Sequence, residues 1–574
     1  MQDFESRLLI MAISEYKSDP IVWMNVTTSA NWTRPPVGIV RVEQALCAEL
    51  SEMLGADRFK TCVWLDGGFV EWVPAEKKEN ETTKEVVDMI LPRTPSFNLA
   101  RNFIARAINK FKVEQDKSTG EVIESIEIRM PLSVGAKLSP AMGDVLISVG
   151  LDWDQPYTAS FYELSTRYGV KVVTCCYDLI PVLFPQYCVG DVASRFKEYF
   201  NSLTWGSSAV LCISEQTQRD YLALCEQLGA PERPTCVIPL GDNVPKNVGV
   251  ASGQVERLVS EPFILFVSTI ERRKNHEILY RAYHLLCRAG HSGKLPKLVF
   301  VGMPGWGVGD LLKDIELDPL TQGLIVQLNH VNDAELNLLY KRALFCVYPS
   351  FYEGWGLPVG EALALGKAVL ASNQGALPEV GGEMVRYLSP WDPKVWADAI
   401  LELVTQPSVI REMEVQAKNA YAIRNWKDTA KAVKDFIDVL VTDTGNEEIV
   451  LCPGYDFSTQ VGLHVGDRIQ STGRAGFLMF GPHRSLRAGV YKIEIYDVCS
   501  KRQFGHVGFD FVANGGRDCY WRGAVQSSEF ETESDKPFVQ FEVSLERDLV
   551  DFEIRCTIDS AALVLNRVKI IKIN

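Results

Sequence analysis

The sequence predicts an α/β protein with two α/β domains in series and a third domain that is all β. Three observations lead to this fold class. Strand-like runs alternate with segments of helical periodicity from about residue 20 to 240, and the alternation starts again at residue 262. After about residue 450, strands of alternating polarity follow one another without helices. We therefore divide the chain into residues 1–245, 246–445 and 446–574.

The two α/β domains are defined by their apolar strands. In the first domain these are IVWMNV, DVLISVG, VKVVTCCYD and AVLCIS, with the helical VRVEQALCAELSEML ahead of the last three. In the second they are PFILFVST, KLVFVG, LIVQL and LFCVYPS, and a helix over 425–440 closes the domain. Continuous apolar strands of this kind are typical of parallel sheets with both faces covered. Residues 241–261 are polar and carry Gly, Pro and Ser, which indicates a linker.

The last domain has a different texture. Runs such as VYKIEIYDV, PFVQFEVSL, DFEIRCTI and LVLNRVKIIKI are separated by clusters of Gly, Asn and Asp. This pattern predicts an antiparallel β-sandwich.

Composition and charge restrict the possible functions. A chain of 574 residues that is 47% hydrophobic and 23% charged is typical of a globular protein with a large core. The net charge of −14 argues against a general nucleic-acid binder, which needs a basic face. No apolar run has the length of a spanning helix and the start of the chain lacks a basic leader, so we expect a cytoplasmic protein. The 14 cysteines form no CxxC pair and are predicted to be reduced thiols.

The stretch SFYEGWGLPVGEALALG at 350–366 places two glutamates around glycines and a proline. Pro358 favours the first position of a helix and Gly366 the residue just past its end. Glu361 is then in the first turn, and Glu353 lies in the loop after the strand LFCVYPS. Both carboxylates are predicted to face a cleft at the carboxyl edge of the sheet, where open α/β sheets bind ligands.

The glycines in this stretch suggest an anion site. Gly354 and Gly356 permit close approach, and the free amides at the helix start favour an anion such as a diphosphate. A carboxylate there can accept hydrogen bonds from sugar hydroxyls. The alternative is a capping acid and a loop acid without a ligand.

A basic cluster follows the first strand of the second domain. In STIERRKNHEIL, Arg272, Arg273 and Lys274 lie at a strand-to-helix turn, and the helix is predicted to begin at about Asn275. Such cations can neutralise a leaving diphosphate, although a solvated charge run is the alternative. Cations and acids at one sheet edge together supply what sugar-nucleotide chemistry needs.

These motifs resemble a known family. FYEGWGLPVGEALALGKAVLAS followed by ALPEVGG is similar to the donor-site signature of retaining glycosyltransferases of family 4, which have the GT-B fold of two Rossmann-like domains facing a cleft. STIERRKNHEILYRAY resembles the bacterial polysaccharide mannosyltransferase-like members, and the likeness covers about residues 20–440.

The resemblance implies roles for individual residues. Glu361 would bind the nucleotide ribose and Glu353 would meet the transferred sugar. Arg273 and Lys274 would hold the diphosphate and stabilise it as it departs. Further donor contacts are implied for Gly354, Gly356, Leu357, Gly38, Asp178, His330 and Val331, of which Gly38 lies in the loop facing the phosphates and acceptor, and His330 and Val331 approach the base.

The chain departs from the family pattern in two places. Tyr177-Asp178 stands where many members have His-Asp, so a histidine contact to the sugar is missing. Ser268-Thr269 stands where Gly-Arg is usual, and Arg273 is expected to compensate. Asp178 can orient a sugar hydroxyl, or it can be a helix or turn cap.

The resemblance implies a retaining hexosyltransferase that uses a nucleotide diphosphate sugar. The preferred donor is a GDP-linked mannose or deoxyhexose, and the acceptor a glycan or lipid-linked glycan of a growing bacterial surface polysaccharide such as O-antigen or capsule. No cofactor, no essential metal and no nucleic acid are expected. The alternatives are a non-catalytic glycan-binding scaffold on a transferase fold, and an epimerase or phosphorylase on the same fold.

Two further sets of residues contain side chains that can bind metals. Asp152-Trp153-Asp154 has the spacing of a metal-binding motif, but a turn or cap is the preferred interpretation because no other ligand set accompanies it. His276 and His483 lack partner histidines and are expected to be surface or capping residues.

Two features outside the motifs suggest interaction surfaces. Residues 95–112 (PSFNLARNFIARAINKFK) are amphipathic and basic, which favours either peripheral contact with the inner membrane or core packing. In the last domain, FGPHRSLRAGVYKIEI resembles a β-sandwich appendage of bacterial glycosyltransferases, which implies a carbohydrate-binding or interaction module. Tyr520 and Trp521 would stack on sugars there if exposed, although buried aromatic residues are commoner in sandwiches.

Overall fold

The computed structural model describes residues 20–32, 38–73, 133–138, 140–230, 233–242, 251–442, 448–498, 505–525 and 536–573. These residues form two α/β domains and an antiparallel all-β region, which confirms the predicted fold class. The boundaries predicted after residues 245 and 445 fall outside the described ranges, as does the amphipathic segment 95–112. Within the described ranges, no helix combines the length and apolar character that crossing a membrane requires.

The first domain is built on one mixed sheet. Its strands are β1 (Val22–Asn25), β2 (Phe59–Leu65), β3 (Gly68–Val73), β4 (Ser133–Lys137), β5 (Val145–Ser148), β6 (Lys171–Cys176), β7 (Ala209–Cys212) and β8 (Thr235–Val237). They lie in the order β4-β3-β2-β1-β5-β6-β7-β8. The pairings of β3 are antiparallel and the others parallel. The helices are α1 (Thr27–Ala30), α2 (Ile39–Leu54), α3 (Ser160–Thr166), α4 (Ile180–Leu183), α5 (Val192–Gly206) and α6 (Glu215–Leu228).

The second domain has an all-parallel sheet. Its strands are β9 (Phe263–Val267), β10 (Lys297–Val301), β11 (Ile325–Leu328), β12 (Cys346–Tyr348), β13 (Val369–Ser372) and β14 (Arg386–Leu388), in the order β11-β10-β9-β12-β13-β14. The helices are α7 (Gly253–Leu258), α8 (His276–Arg288), α9 (Gly309–Leu317), α10 (Asp333–Arg342), α11 (Leu357–Ala364), α12 (Leu377–Gly381), α13 (Pro393–Thr405), α14 (Pro407–Ala420) and α15 (Trp426–Thr442). Helix α7 lies within the predicted linker, which is therefore not wholly irregular.

Helix α15 returns from the second domain to the first. It packs against α2, and Thr429 on α15 donates a hydrogen bond of 2.8 Å to the carbonyl of Pro239. Gly241 lies against the Trp426 ring, where an added Cβ would come within 2.8 Å of the indole. This crossing ties the end of the second domain to the segment that leaves the first.

The C-terminal region consists of two antiparallel sheets around one core. Its strands are β15 (Glu448–Leu451), β16 (Gly462–Val465), β17 (Arg468–Ser471), β18 (Gly476–Met479), β19 (Pro482–Leu486), β20 (Gly489–Asp497), β21 (Val507–Ala513), β22 (Asp518–Val525), β23 (Val539–Leu545), β24 (Leu549–Ile558) and β25 (Val564–Lys572), with a short helix α16 (Pro453–Asp456). One sheet has the order β16-β17-β25-β20-β23 with β15 on β25, and the other β18-β24-β21-β22 with β19 on β24. Inward-facing residues of both sheets share the core, as in a sandwich.

The two aromatic residues singled out in this region pack on the sandwich. Trp521 stacks on Phe541 with ring centroids 3.7 Å apart, and Tyr520 meets Phe511 edge to face. Both side chains are half-buried. Because Phe541 stacks on Trp521, one face of the Trp521 ring is already occupied.

Candidate active site

The turn after β9 is fastened to the loop after β12 by a buried asparagine. Asn275 has a left-handed φ of 61°, which asparagine tolerates better than most residues, and it immediately precedes α8. Its side-chain amide donates hydrogen bonds of 3.1 and 2.9 Å to the carbonyls of Pro349 and Pro390. The amide of Phe351 in turn donates to the carbonyl of Arg273. The basic turn and the Glu353 loop are therefore one rigid unit at the carboxyl edge of the sheet.

Glu353 bridges two cations in this unit. Its Oε2 accepts a hydrogen bond of 2.8 Å from Arg273 Nη1, and its Oε1 accepts one of 2.6 Å from Lys274 Nζ. Arg273 also donates to Glu271 Oε1 at 2.8 Å and to the Tyr352 carbonyl at 2.7 Å. The cluster thus contains two cations and two carboxylates.

The electrostatics of the cluster favour full ionisation. Burial raises the pKa of Glu353, but the charges of Arg273 and Lys274 outweigh it and hold the pKa at about 2. Burial likewise opposes the charge on Arg273, yet the neighbouring carboxylates of Glu353 and Glu271 raise its pKa. Both oxygens of Glu353 are engaged, so a contact between this carboxylate and a sugar requires one of the two ion pairs to open.

Arg272 is separated from its two basic neighbours. It is exposed and lines a different cavity, of about 840 Å³, on the far side of the turn. The short helical turn of residues 272–274 points successive side chains in different directions, so only Arg273 and Lys274 reach Glu353.

Glu361 lies on α11, apart from this cluster. It is the fifth residue of the helix and Pro358 the second, so the prediction of Glu361 in the first turn and Pro358 at the first position is wrong by one residue. Gly366 follows the helix end with φ of 68°, as predicted. Glu361 is buried, and its Oε2 accepts a hydrogen bond of 2.8 Å from the Tyr340 hydroxyl. Burial raises the pKa of Glu361 to about 7, against the opposing effects of the Tyr340 bond and of Arg41.

Most of the second α/β domain matches a known protein family. Residues 252–423 match the family of glycosyl transferases group 1, and this range contains Arg273, Lys274, Glu353 and Glu361. The chain contains a glycosyltransferase group 1 domain.

Relatives that match part of the chain include bacterial mannosyltransferases. A serotype-specific mannosyltransferase WbdA of Escherichia coli is 29% identical over 341 residues, which cover 55% of this chain and 41% of the relative. An O-antigen chain mannosyltransferase B of Escherichia coli is 28% identical over 240 residues, or 42% of this chain and 62% of the relative. The chain therefore spans only part of the length of the curated relatives it matches.

Among solved structures, a sucrose-phosphate synthase from Thermosynechococcus elongatus aligns with a TM-score of 0.48 and 18% identity. The alignment covers 74% of this chain and 100% of that one.

The glycines of the group 1 domain serve contacts within the protein. A Cβ on Gly354 would lie 2.4 Å from the Tyr177 carbonyl oxygen, and one on Gly356, at φ of 116°, would lie 2.7 Å from Leu377. Gly354 therefore permits close approach of the first domain, where a ligand was predicted. Leu357, the first residue of α11, is partly buried against the core.

The first domain places Asp178 beside the cation cluster. Asp178 Oδ1 accepts a hydrogen bond of 3.0 Å from the amide of Ile180, as a turn-capping acid does. Burial raises the pKa of Asp178, and the charge of Arg273 opposes this. The hydroxyl of Tyr177 donates to the carbonyl of Val149 at 2.5 Å, so it does not replace the missing histidine contact.

The remaining predicted donor residues lie around the Glu361 side of the cleft. Gly38 has φ of 51° at the start of α2, and no atom of the described residues lies within 4 Å of an added Cβ. Arg41 on α2 approaches Asp333 on α10 at 3.8 Å, which brings the Gly38 end of α2 to the group 1 domain. His330, which is exposed, and Val331, which is half-buried, follow β11 immediately before α10.

The Asp152-Trp153-Asp154 motif forms a short helical turn whose two acids point to different surroundings. Asp152 is buried and accepts hydrogen bonds from Ser148 at 2.9 Å and Tyr157 at 2.7 Å. Asp154 pairs with Arg195 at 2.8 Å. The part of the chain that the structure describes contains no group of three His, Cys, Asp or Glu side chains able to hold a metal ion.

His276 contradicts the prediction of a surface or capping residue, whereas His483 is exposed as expected. The His276 ring is buried between Phe266 and Phe300, at centroid distances of 4.3 and 4.7 Å. Burial lowers its pKa to about 3, so it is a neutral core residue of the group 1 domain. The first turn of α8 faces the sheet, which the single histidine did not reveal.

Sequence reasoning also missed a cavity of about 350 Å³ between the domains. Asp178, Arg273 and Glu271 line its polar end, and it is otherwise largely aromatic, with Trp153, Phe196, Tyr199 and Trp306 in its wall. The Trp306 indole donates a hydrogen bond of 2.9 Å to the Tyr187 carbonyl across the cleft. The lining residues are scattered over five segments of sequence, so no local pattern indicated them.

Proposed function

We propose that this protein is a retaining hexosyltransferase that transfers mannose or a related deoxyhexose from a GDP-linked donor to a bacterial surface glycan. The observation that carries this proposal is the unit of Arg273, Lys274 and Glu353 at the carboxyl edge of the group 1 sheet. It places two cations at a site where a diphosphate can be held, beside a cavity that reaches into the first domain.

Arg273 and Lys274 would stabilise the diphosphate as it leaves. Arginine offers a planar fork to phosphate oxygens, and lysine adds a mobile point charge. Fixed positive charges of this kind act most strongly where charge develops in the transition state. When the donor arrives, its diphosphate competes with Glu353 for both cations, and the released carboxylate can turn towards the sugar hydroxyls.

Glu361 would hold the ribose of the nucleotide. Its carboxylate is buried 2.8 Å from the Tyr340 hydroxyl and keeps one oxygen for a hydroxyl donor. Asp178 and the aromatic wall of the cavity would receive the acceptor glycan, because aromatic faces pack well on sugar rings. Acceptor and donor would meet at Arg273, which belongs to both surroundings.

The choice of mannose and of a surface polysaccharide is supported by the relatives. Both Escherichia coli proteins described above are named as mannosyltransferases, one of them of the O-antigen chain. The retention of anomeric configuration follows from the likeness of residues 351–382 to the family 4 donor motif and is part of the proposal.

The test is release of nucleoside diphosphate from GDP-, UDP-, dTDP- and ADP-sugars, with an acceptor glycan mixture and EDTA present. We expect release from the GDP-mannose class alone, and a fall in kcat of about 100-fold or more in Lys274→Ala, since a fixed transition-state charge is lost. Analysis of the product by NMR would show whether the anomeric configuration is retained.

Arg272→Ala is the matched control, because Arg272 is adjacent in sequence but lines another cavity. It should keep the wild-type rate within about twofold. Equal losses in the two variants would contradict the assignment of the diphosphate site. Glycan binding without release from any donor would instead support a non-catalytic scaffold, and loss of release with EDTA would contradict the expectation of metal independence.

A further inference from the structure

A second cavity lies where the first domain meets the C-terminal β region. Its volume is about 290 Å³, and it shares no lining residue with the cleft between the α/β domains. One wall comes from segments 165–171 and 207–208 of the first domain, and the other from residues 484–487 at the end of β19.

Two glycines in left-handed conformation shape this joint. A Cβ on Gly169, at φ of 66°, would lie 2.9 Å from the Ser485 hydroxyl, and a Cβ on Gly143, at φ of 93°, would lie 3.2 Å from Arg487 Nη2. The two surfaces therefore fit closely around the cavity.

The charge of this cavity is opposite to that of the protein. Four basic residues line it, and no acidic side chain among the described residues does, although the chain has a net charge of −14. The four are Lys171, Arg233, Arg484 and Arg487.

The charge is only partly compensated within the protein. Arg484 pairs with Asp456 at 2.6 Å, but neither Arg233 nor Arg487 has an ion-pair partner among the described residues. Within the part of the chain that the structure describes, Arg233 Nε is buried without a hydrogen-bond acceptor. Burial and the charge of Arg484 lower the pKa of Arg233. A buried donor without an acceptor, next to a like charge, destabilises the protein unless an anion joins it.

Hydroxyl groups complete the lining. Ser208 Oγ accepts a hydrogen bond of 3.1 Å from the amide of Val172, which leaves its own proton to donate. Ser485 contributes a second hydroxyl from the β region. Guanidinium groups and hydroxyls from two sides match an anion with several oxygen atoms, and arginine forks match phosphate oxygens in particular.

We propose that this cavity is a phosphoryl-binding site, in which Arg233, Arg484 and Arg487 hold the anion between the first domain and the β region. The site is separate from the diphosphate site of the proposed transferase reaction. Its ligand can be free phosphate or the phosphoryl group of a sugar phosphate, and the volume admits either.

The test is calorimetric titration of the full chain with inorganic phosphate, with mannose 6-phosphate and with neutral mannose, at constant ionic strength. Lys274→Ala removes one of the two cations of the proposed donor cleft and so weakens phosphate binding there. In that background we expect phosphate binding to persist, and to weaken at least about tenfold when Arg233→Gln and Arg487→Gln are added. Arg474→Gln, at an exposed position of the β region, should leave it unchanged.

Each result of the titrations either supports or overturns the proposed phosphoryl-binding site. Binding of mannose 6-phosphate but not mannose identifies a sugar phosphate as an acceptable ligand, whereas binding of inorganic phosphate alone identifies the free anion. Absence of phosphate binding in Lys274→Ala, or equal affinity after the two arginine substitutions, overturns it. If the triple variant does not fold, Arg487→Gln in the Lys274→Ala background still has to weaken binding by about threefold or more.

Discussion

At the scale of single residues, Glu361 is buried, yet its proposed contact with the nucleotide ribose requires the charged carboxylate. Its pKa is raised from 4.5 to about 7, chiefly by burial. The neutral acid is favoured in the folded protein, so its contribution to stability is complete below pH 4.5 and is lost as the pH rises through about 7. The carboxylate, by contrast, is the form that can accept a hydrogen bond from a ribose hydroxyl, as the proposed role requires.

We therefore expect the KM for the donor to fall as the pH rises through about 7 and to level off above it. At one pH unit below the pKa only about a tenth of the acid is ionised, so KM should rise by up to about tenfold there. Glu361→Gln should have a higher KM without this inflection and should lose less stability between pH 5 and 8. Donor KM and thermal unfolding measured across this range check both; an inflection that persists in the glutamine variant contradicts the assignment.

Only part of the candidate site could be predicted from the sequence at the level of single residues. The proline, the glycines and the two acids of residues 350–366 identified the loop and helix, because these residues have narrow backbone preferences. The pairing of Glu353 with Arg273 and Lys274 was not predicted, since the partners are about eighty positions apart in sequence. The burial of His276 was likewise hidden, because it depends on which face of α8 meets the sheet.

At the scale of elements, the start of α6 in the first domain is capped by an acid from the group 1 domain. Glu379 Oε2 and Oε1 accept hydrogen bonds of 2.7 Å from the amides of Glu215 and Gln216. A carboxylate at a helix start satisfies free amides and interacts favourably with the helix dipole. The contact therefore couples the order of α6 to closure of the two domains.

Glu379→Ala should loosen the start of α6, at a cost of about 1 kcal/mol, since two charged hydrogen bonds to backbone amides are lost. Hydrogen exchange of the amides of Glu215 and Gln216 should accelerate by about fivefold, while the middle of α6 stays protected. Glu383→Ala, an exposed acid four residues further on, serves as the control. Equal exchange in the two variants would mean that the cap does not stabilise the closed arrangement.

Some elements were visible in sequence and their contacts were not. The start of α10 carries a capping box of Asn332 and Glu335, whose spacing is a local signal. The Glu379 cap joins segments more than 160 residues apart and has no such signal. Local sequence patterns therefore predict helices and strands, whereas contacts between domains depend on tertiary structure.

At the scale of the whole molecule, the segment that leaves the first domain is held by the end of the second. Asp242 Oδ1 accepts a hydrogen bond from the Tyr421 hydroxyl and Oδ2 one from the Arg424 amide, both at 2.8 Å. Asp242 also contributes to the raised pKa of Glu361. The single charge of Asp242 thus acts both on the crossing between domains and on the proposed donor site.

Asp242→Asn should have two effects. Asparagine offers one acceptor oxygen and no charge where the carboxylate accepts two hydrogen bonds, so stability should fall by about 1–3 kcal/mol. The pH inflection in donor KM should move below about 7, since a negative charge near Glu361 is removed. Denaturant unfolding and the KM profile measure these effects, and Asp428→Asn on the exposed side of α15 is a control. An unchanged inflection would separate the crossing segment from the donor site.

The ion pairs of Glu353 can also be described in terms of ion exchange. A bare pair of cations would collect whatever small anions the solution offers, and a nucleotide would have to displace them. Here the protein carries its own counter-ion, tethered 2.8 and 2.6 Å from the two cations. Chloride or acetate gains little by entering, because it would replace the carboxylate of Glu353 with an untethered anion of the same single charge. A diphosphate carries more charge and can bind both cations at once. The tethered carboxylate of Glu353 therefore favours multivalent over monovalent anions at this site.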